Sequence, residues 1–143
     1  MKTLEHPAPI GVRPVFRAVR GTEPAYQAYA ALYAGYIVLP IIAGADKFTH
    51  YLVDWDAYLS QNAVMMTGAR VDSFMKAVGV VEMAAGLLVW LKPRWGAPVV
   101  GAWLLGIVAN LLSIPGFYDI ALRDLGLSVG AFALWRLSGQ YGD

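Results

Sequence analysis

Apolar residues in this chain gather into four long runs, Tyr26–Ala45, Phe74–Leu91, Gly96–Ile114 and Phe117–Leu137, separated by short polar breaks. A helix rises about 1.5 Å per residue, so a run of about 20 residues crosses a hydrocarbon core of about 30 Å. Lipid cannot satisfy backbone N–H and C=O groups, so such spans must be helical. The pattern predicts an all-α polytopic membrane protein with a four-transmembrane-helix bundle over residues 26–137. A basic segment, residues 1–25, precedes it, and a short tail, residues 138–143, follows. An external loop of about 46–73 separates the first two spans.

Small residues punctuate the runs. The first carries Ala28, Ala30, Ala31, Ala34 and Gly35, the second Gly79, Ala84, Ala85 and Gly86, and the third Gly96, Gly101, Ala102 and Gly106. Small side chains let helix backbones approach closely in lipid, so these faces are expected to pack on neighbouring helices. Pro40 is expected to kink the first span, because it removes a backbone hydrogen bond and crowds the preceding turn. Pro115-Gly116 ends the third. Trp55, Trp90, Trp95, Trp103 and Trp135 fall mostly near the expected interfaces, where amphipathic rings anchor.

The charges set an orientation. If the spans run up and down, seven basic residues share one side: Lys2, Arg13, Arg17, Arg20, Lys92, Arg94 and Arg136. The other side receives four, Lys47, Arg70, Lys76 and Arg123, among six aspartates. Positive residues favour the cytoplasm, so both termini are expected there. The turn Lys92–Trp95 is short enough to make the second and third spans antiparallel neighbours. Val12, Phe16 and Val19 form a helical stripe beside Arg13, Arg17 and Arg20, a pattern suited to lying on an anionic membrane surface. The simpler reading is a basic flank that fixes topology, and it is preferred for so short a segment. Ala43-Gly44-Ala45 resembles a signal-peptidase site, but the apolar run before it starts too far from Met1 for a leader.

The chain is 58% hydrophobic and only 15% charged, with a mean hydropathy of +0.52, more apolar sequence than one soluble core of 143 residues needs. A net charge of +1, with no basic patch among exposed aromatics, argues against a nucleic-acid partner. The chain has no cysteine, which excludes disulfides, thiolate metal sites, iron–sulfur clusters and a dithiol relay.

Charges within spans are rare and expensive. Glu82 sits near the middle of the second span, where an ionised carboxylate alone in hydrocarbon costs about 3 kcal/mol on insertion scales. Lys47, at the outer end of the first span, has a stem long enough to reach it. A Lys47–Glu82 pair is expected, either as a helix lock or as a proton or substrate site. Lys76 lies off the Glu82 face. Asp46 and His50, four residues apart, are expected to meet on one helix face. His50 could serve a quinone carbonyl, a metal or a proton, although a solvated surface histidine is the commoner case. Haem ligation is disfavoured because the other histidine, His6, lies across the membrane. Asn110 is expected to hydrogen-bond across helices, and Asp119 and Arg123 to pair with each other. The stretch Tyr51–Leu59, mixing acids with aromatics, reads as a short helix or turn that covers the bundle or docks a partner. No nucleophile–base motif, phosphate loop or metal-binding motif is present, and no metal site is expected.

The endings and turns resemble the DoxX-like family of small four-helix membrane proteins. The resemblance rests on Ala43-Gly-Ala-Asp-Lys-Phe48 closing the first span and Glu82-Met-Ala-Ala-Gly86 in the second. The basic turn Leu91-Lys-Pro-Arg-Trp-Gly-Ala97 completes it. It covers about Tyr26–Leu137. It implies association with membrane redox complexes, including a quinone-reducing thiosulfate oxidoreductase and oxidative-stress assemblies. Any cysteine chemistry found among relatives is closed to this chain. The expected role is therefore an integral subunit of a redox or respiratory-type complex in the bacterial inner membrane, with other membrane or periplasmic subunits as partners. Its quinone site would use Lys47, His50 and Glu82, with Trp55 as an apolar wall, and no covalently bound cofactor. The rival expectations are a non-catalytic anchor or assembly subunit and a small transporter using Glu82 as a proton-coupled carboxylate.

Overall fold

The computed structural model describes residues 23–68 and 70–142. The basic stripe, His6 and the other readings placed on residues 1–22 lie outside them. The elements are α1 (Pro24–Thr49), a 3-10 turn (Trp55–Tyr58), α2 (Gln61–Thr67), α3 (Val71–Leu91), α4 (Pro93–Leu112) and α5 (Tyr118–Tyr141). No strand occurs among the described residues.

Local chemistry sets the boundaries. Pro24 and Pro93 open α1 and α4, where a missing N–H costs nothing. Lys92 alone joins α3 to α4, so the turn is tighter than the apolar pattern implied. Gly96 permits that turn: a Cβ there would lie 2.5 Å from the Val89 backbone nitrogen. Ser60 caps α2 by accepting from the Ala63 N–H at 3.2 Å, and Gly68 ends it at φ +61°. α1 continues four residues past the apolar run, to Thr49, with Pro40 inside it. Polarity marked where the apolar run of α1 ends; it did not mark where the helix stops.

Contacts at the two ends show that the four long helices alternate in direction. At one end the Tyr141 hydroxyl donates to Glu23 Oε2 at 2.9 Å, and the Tyr33 hydroxyl donates to the Trp90 carbonyl at 2.6 Å. At the other, the Tyr58 ring meets Phe117 edge-on at 5.0 Å. The start of α1, the Lys92 turn and the end of α5 therefore share one end of the bundle.

α1 packs most extensively on α3 and α4 on α5, with α3–α4 and α1–α5 contacts completing the bundle. The α1–α3 seam depends on glycine. A Cβ on either Gly44 or Gly79 would stand 2.5 Å from the other's carbonyl oxygen, and one on Gly86 would meet the Ile37 carbonyl at 2.9 Å. The small residues early in α1 do not serve this purpose. Ala28, Ala31 and Ala34 are exposed, and a Cβ on Gly35 would meet nothing within 4 Å. α1 instead meets its neighbours there through tyrosines. Tyr29 and Tyr36 are buried in the core with Val89, Val100, Ala131 and Leu134.

The outward surface is apolar. Leu39, Val80, Leu105, Leu122, Val129 and Phe132 are all exposed, and only 17% of the most hydrophobic window of α1 is buried. α1, α3 and α4 are each long and apolar enough to cross a membrane. α5 is not among them, being interrupted by Asp119, Arg123, Asp124 and Arg136.

Candidate functional site

The glycine seam positions the central ion pair. Side chains on a helix lean toward its N-terminus. α1 and α3 are antiparallel, so Lys47 leans inward along α1 and Glu82 leans outward along α3. They meet with Lys47 Nζ 2.6 Å from Glu82 Oε2. Both are buried, at 2% and 8% exposure, and the bond is the pairing expected from the sequence. Trp55 covers it: the Lys47 ammonium lies 3.7 Å from the centre of its ring, a cation–π contact in a desolvated setting.

Asp46 holds Trp55 in place. Its carboxylate accepts from the Trp55 indole N–H at 2.7 Å, the Thr49 hydroxyl at 3.1 Å, and the backbone N–H groups of Tyr51 at 3.0 Å and Leu52 at 3.1 Å. The expected Asp46–His50 side-chain contact does not form. α1 stops at Thr49, and His50 takes a left-handed conformation, φ 51°, that swings the imidazole off the helix face. Its backbone N–H donates to the Asp46 carbonyl at 2.7 Å, while its Nε2 lies 3.8 Å from Asp56 Oδ1.

Asn110 ties α4 to the loop and makes no bond to another long helix. Its amide donates to the Tyr58 carbonyl at 2.6 Å and accepts from the Ser60 N–H at 3.1 Å. Arg123 does not pair with Asp119. Arg123 Nε donates to Asp124 Oδ1 at 2.8 Å. Asp124 is only 4% exposed and Asp119 is exposed, so the carboxylate with the greater need of a countercharge takes the guanidinium. Lys76 bonds Asp72 at 2.9 Å on the surface, away from Glu82.

These groups surround a cleft of about 730 Å³ between the long helices, roofed by Trp55 and Tyr58 of the 3-10 turn. Lys47, Glu82, Asn110, Arg123 and Asp124 supply its polar wall. Leu39, Phe74, Val78, Ile107 and Leu127 supply apolar surface. His50 is not part of the lining and is exposed, so the structure brings together Lys47, Glu82 and Trp55 but leaves His50 outside. Trp103 also lines the cleft, and its indole N–H is buried without a hydrogen-bond partner.

Sequence reasoning missed three features. Trp103, grouped with tryptophans mostly near the expected interfaces, stands midway along α4 and lines the cleft. The Arg123–Asp124 pair was hidden because adjacent residues do not share a helix face, although two neighbouring charges inside an apolar run were a visible signal. The third is a tyrosine stripe, Tyr26, Tyr29, Tyr33 and Tyr36, at helical spacing. Tyr26 meets Tyr141 edge-on at 5.3 Å, and the Tyr36 hydroxyl donates across the bundle to the Leu127 carbonyl of α5. A comparison of the chain with family models, curated proteins and solved structures finds no match.

Proposed function

We propose that this chain is a multi-pass protein of the bacterial inner membrane that holds a quinone-type lipid in the cleft beneath Trp55. On this reading all four long helices span the bilayer, and both termini are cytoplasmic. α5 qualifies as the fourth span because its lipid-facing side is apolar, with Leu122, Val129 and Phe132 exposed. Of its polar residues, Asp124, Ser128 and Ser138 are buried, while Asp119, Arg123 and Arg136 are exposed. The seven-to-four split of basic residues read from the sequence, four of the seven lying before residue 23, is the support for the orientation.

The observation that carries the proposal is the cleft itself: about 730 Å³, within the range that binds small ligands, with apolar walls and a few convergent polar groups. A quinone needs donors at its carbonyls and an apolar slot for ring and tail. Lys47 has three N–H donors and uses one on Glu82, so its ammonium can also serve a carbonyl oxygen. Trp103 adds ring surface to the same wall. Such a protein fits a DoxX-like subunit of a membrane redox complex, since Lys47 and Glu82 belong to the segments that carry the resemblance. His50 has no part in the site on this reading.

The anchor reading has one observation in its favour: Asp46 and Asn110 both hold the loop after α1. It requires a filled interior, which the cleft opposes. The test is to purify the chain from its native membrane in mild detergent and extract bound lipids. Quinone recovered near one per chain from the parent, and strongly reduced in Lys47→Met/Glu82→Leu, supports the proposal. A folded parent that carries no quinone, and takes up none when it is added, refutes it.

A further inference from the structure

Outside the cleft, one imidazole and two carboxylates converge on a single point at the loop end of the bundle. His50 comes from the end of α1, Asp56 from the 3-10 turn and Asp72 from the first turn of α3. One ligand atom from each lies within 4.8 Å of the other two. We propose that His50, Asp56 and Asp72 form a divalent-cation site of the Zn²⁺ class.

Three observations support it. First, His50 Nε2 and Asp56 Oδ1 are 3.8 Å apart, too far for a hydrogen bond. Two ligands about 2.0–2.1 Å from one tetrahedral ion stand about 3.3 Å from each other, so this pair needs to close by about half an ångström and Asp72 by at most about 1.5 Å. Second, Asp56 Oδ1 is shielded from solvent and accepts no hydrogen bond. The rest of the Asp56 side chain is about a third exposed (34%), so the carboxylate is solvated from one side while this oxygen is left without a partner. Third, the two aspartates bring like charges together at this point. Lys76 offsets one of them, bonding Asp72 Oδ2 at 2.9 Å, and leaves the other Asp72 oxygen for an ion.

The donor set selects the metal. One nitrogen and two oxygens suit Zn²⁺, which accepts three protein ligands and a water. Ca²⁺ requires six to eight oxygens, so two carboxylates suit it poorly. The site would also join α1, the 3-10 turn and α3 at one point. Asp56 stands next to Trp55, so a bound ion would fix the turn that roofs the cleft. Metal binding itself does not depend on what the cleft holds.

The test uses tag-free, full-length protein in detergent, stripped with a chelator and titrated with Zn²⁺ by calorimetry. Co²⁺ serves as a visible-absorption probe of nitrogen ligation. One Zn²⁺ per chain is expected. His50→Gln and Asp56→Asn should each weaken binding by at least about tenfold, as loss of a ligand should cost no less than loss of an outer-shell partner. His6→Gln, which removes the other histidine, should leave binding unchanged. If His50→Gln does not fold, Asp56→Asn carries the test alone. Equal affinity in parent and variants, or loss on His6→Gln, overturns the site, as does the absence of saturable Zn²⁺ binding.

Discussion

Replacing one partner of the Lys47–Glu82 pair should destabilise the bundle more than replacing both. The pair is 2.6 Å long and its residues are 2% and 8% exposed, so neither survivor can recruit bulk water. Breaking a buried pair from one side costs about 3–5 kcal/mol, and replacing both members with apolar residues is often close to neutral. The insertion cost of a lone charge in a span, about 2.5–3.5 kcal/mol, sets a similar scale. The two single changes should also differ. In Glu82→Gln the Lys47 ammonium keeps the Trp55 ring at 3.7 Å, a contact worth up to about 2 kcal/mol when desolvated. In Lys47→Met the Glu82 carboxylate loses its cation outright. Lys47→Met should therefore be the more damaging, by about 1–2 kcal/mol. Unfolding in mixed detergent and SDS micelles, followed by tryptophan fluorescence and circular dichroism, gives the four free energies of the cycle. A coupling of about 2 kcal/mol or more is expected, and single losses that add within about 0.5 kcal/mol would refute the argument.

Other substitutions probe the rest of the frame. Gly79→Ala places a Cβ 2.5 Å from the Gly44 carbonyl and should cost about 1–3 kcal/mol in the same assay. Gly35→Ala meets open space and should be neutral or slightly stabilising, so equal effects at the two glycines would contradict the seam. Asp46→Asn removes the carboxylate that gathers Trp55, Tyr51 and Leu52, and hydrogen exchange should accelerate at the Tyr51 and Leu52 amides while the middle of α4 is unaffected. In this cysteine-free chain, a cysteine at the exposed Asn62 should react with a membrane-impermeant thiol reagent on intact cells, and one at Gln140 should not; the reverse pattern inverts the topology.

The long helices and the central ion pair were legible in the sequence because hydrocarbon is an unforgiving solvent. A 20-residue apolar run has few alternatives, and a carboxylate at Glu82 has few partners within reach. What was illegible depended on where one chain segment stops or which of two groups is deeper. His50 was placed on a helix face one residue beyond the end of that helix. Arg123 was assigned to Asp119 by spacing, and burial gave it to Asp124. Asn110 was expected to face another helix, yet it binds the loop backbone, whose position no periodicity encodes. The cleft was legible only as two of its polar members. Its volume arises from side chains of four helices and the roofing turn, which no single run displays.

The most direct test of the central claim is equilibrium binding of a short-chain quinone to the purified chain in lipid nanodiscs, read by quenching of tryptophan fluorescence. Trp55 and Trp103 both line the cleft, so saturable quenching is expected in the parent protein. Val78 also lines the cleft, and Val78→Phe should narrow it and weaken binding at least about tenfold without loss of helicity. Non-saturating quenching that rises with quinone in the lipid, and is the same in Val78→Phe, would contradict a quinone site in this cleft.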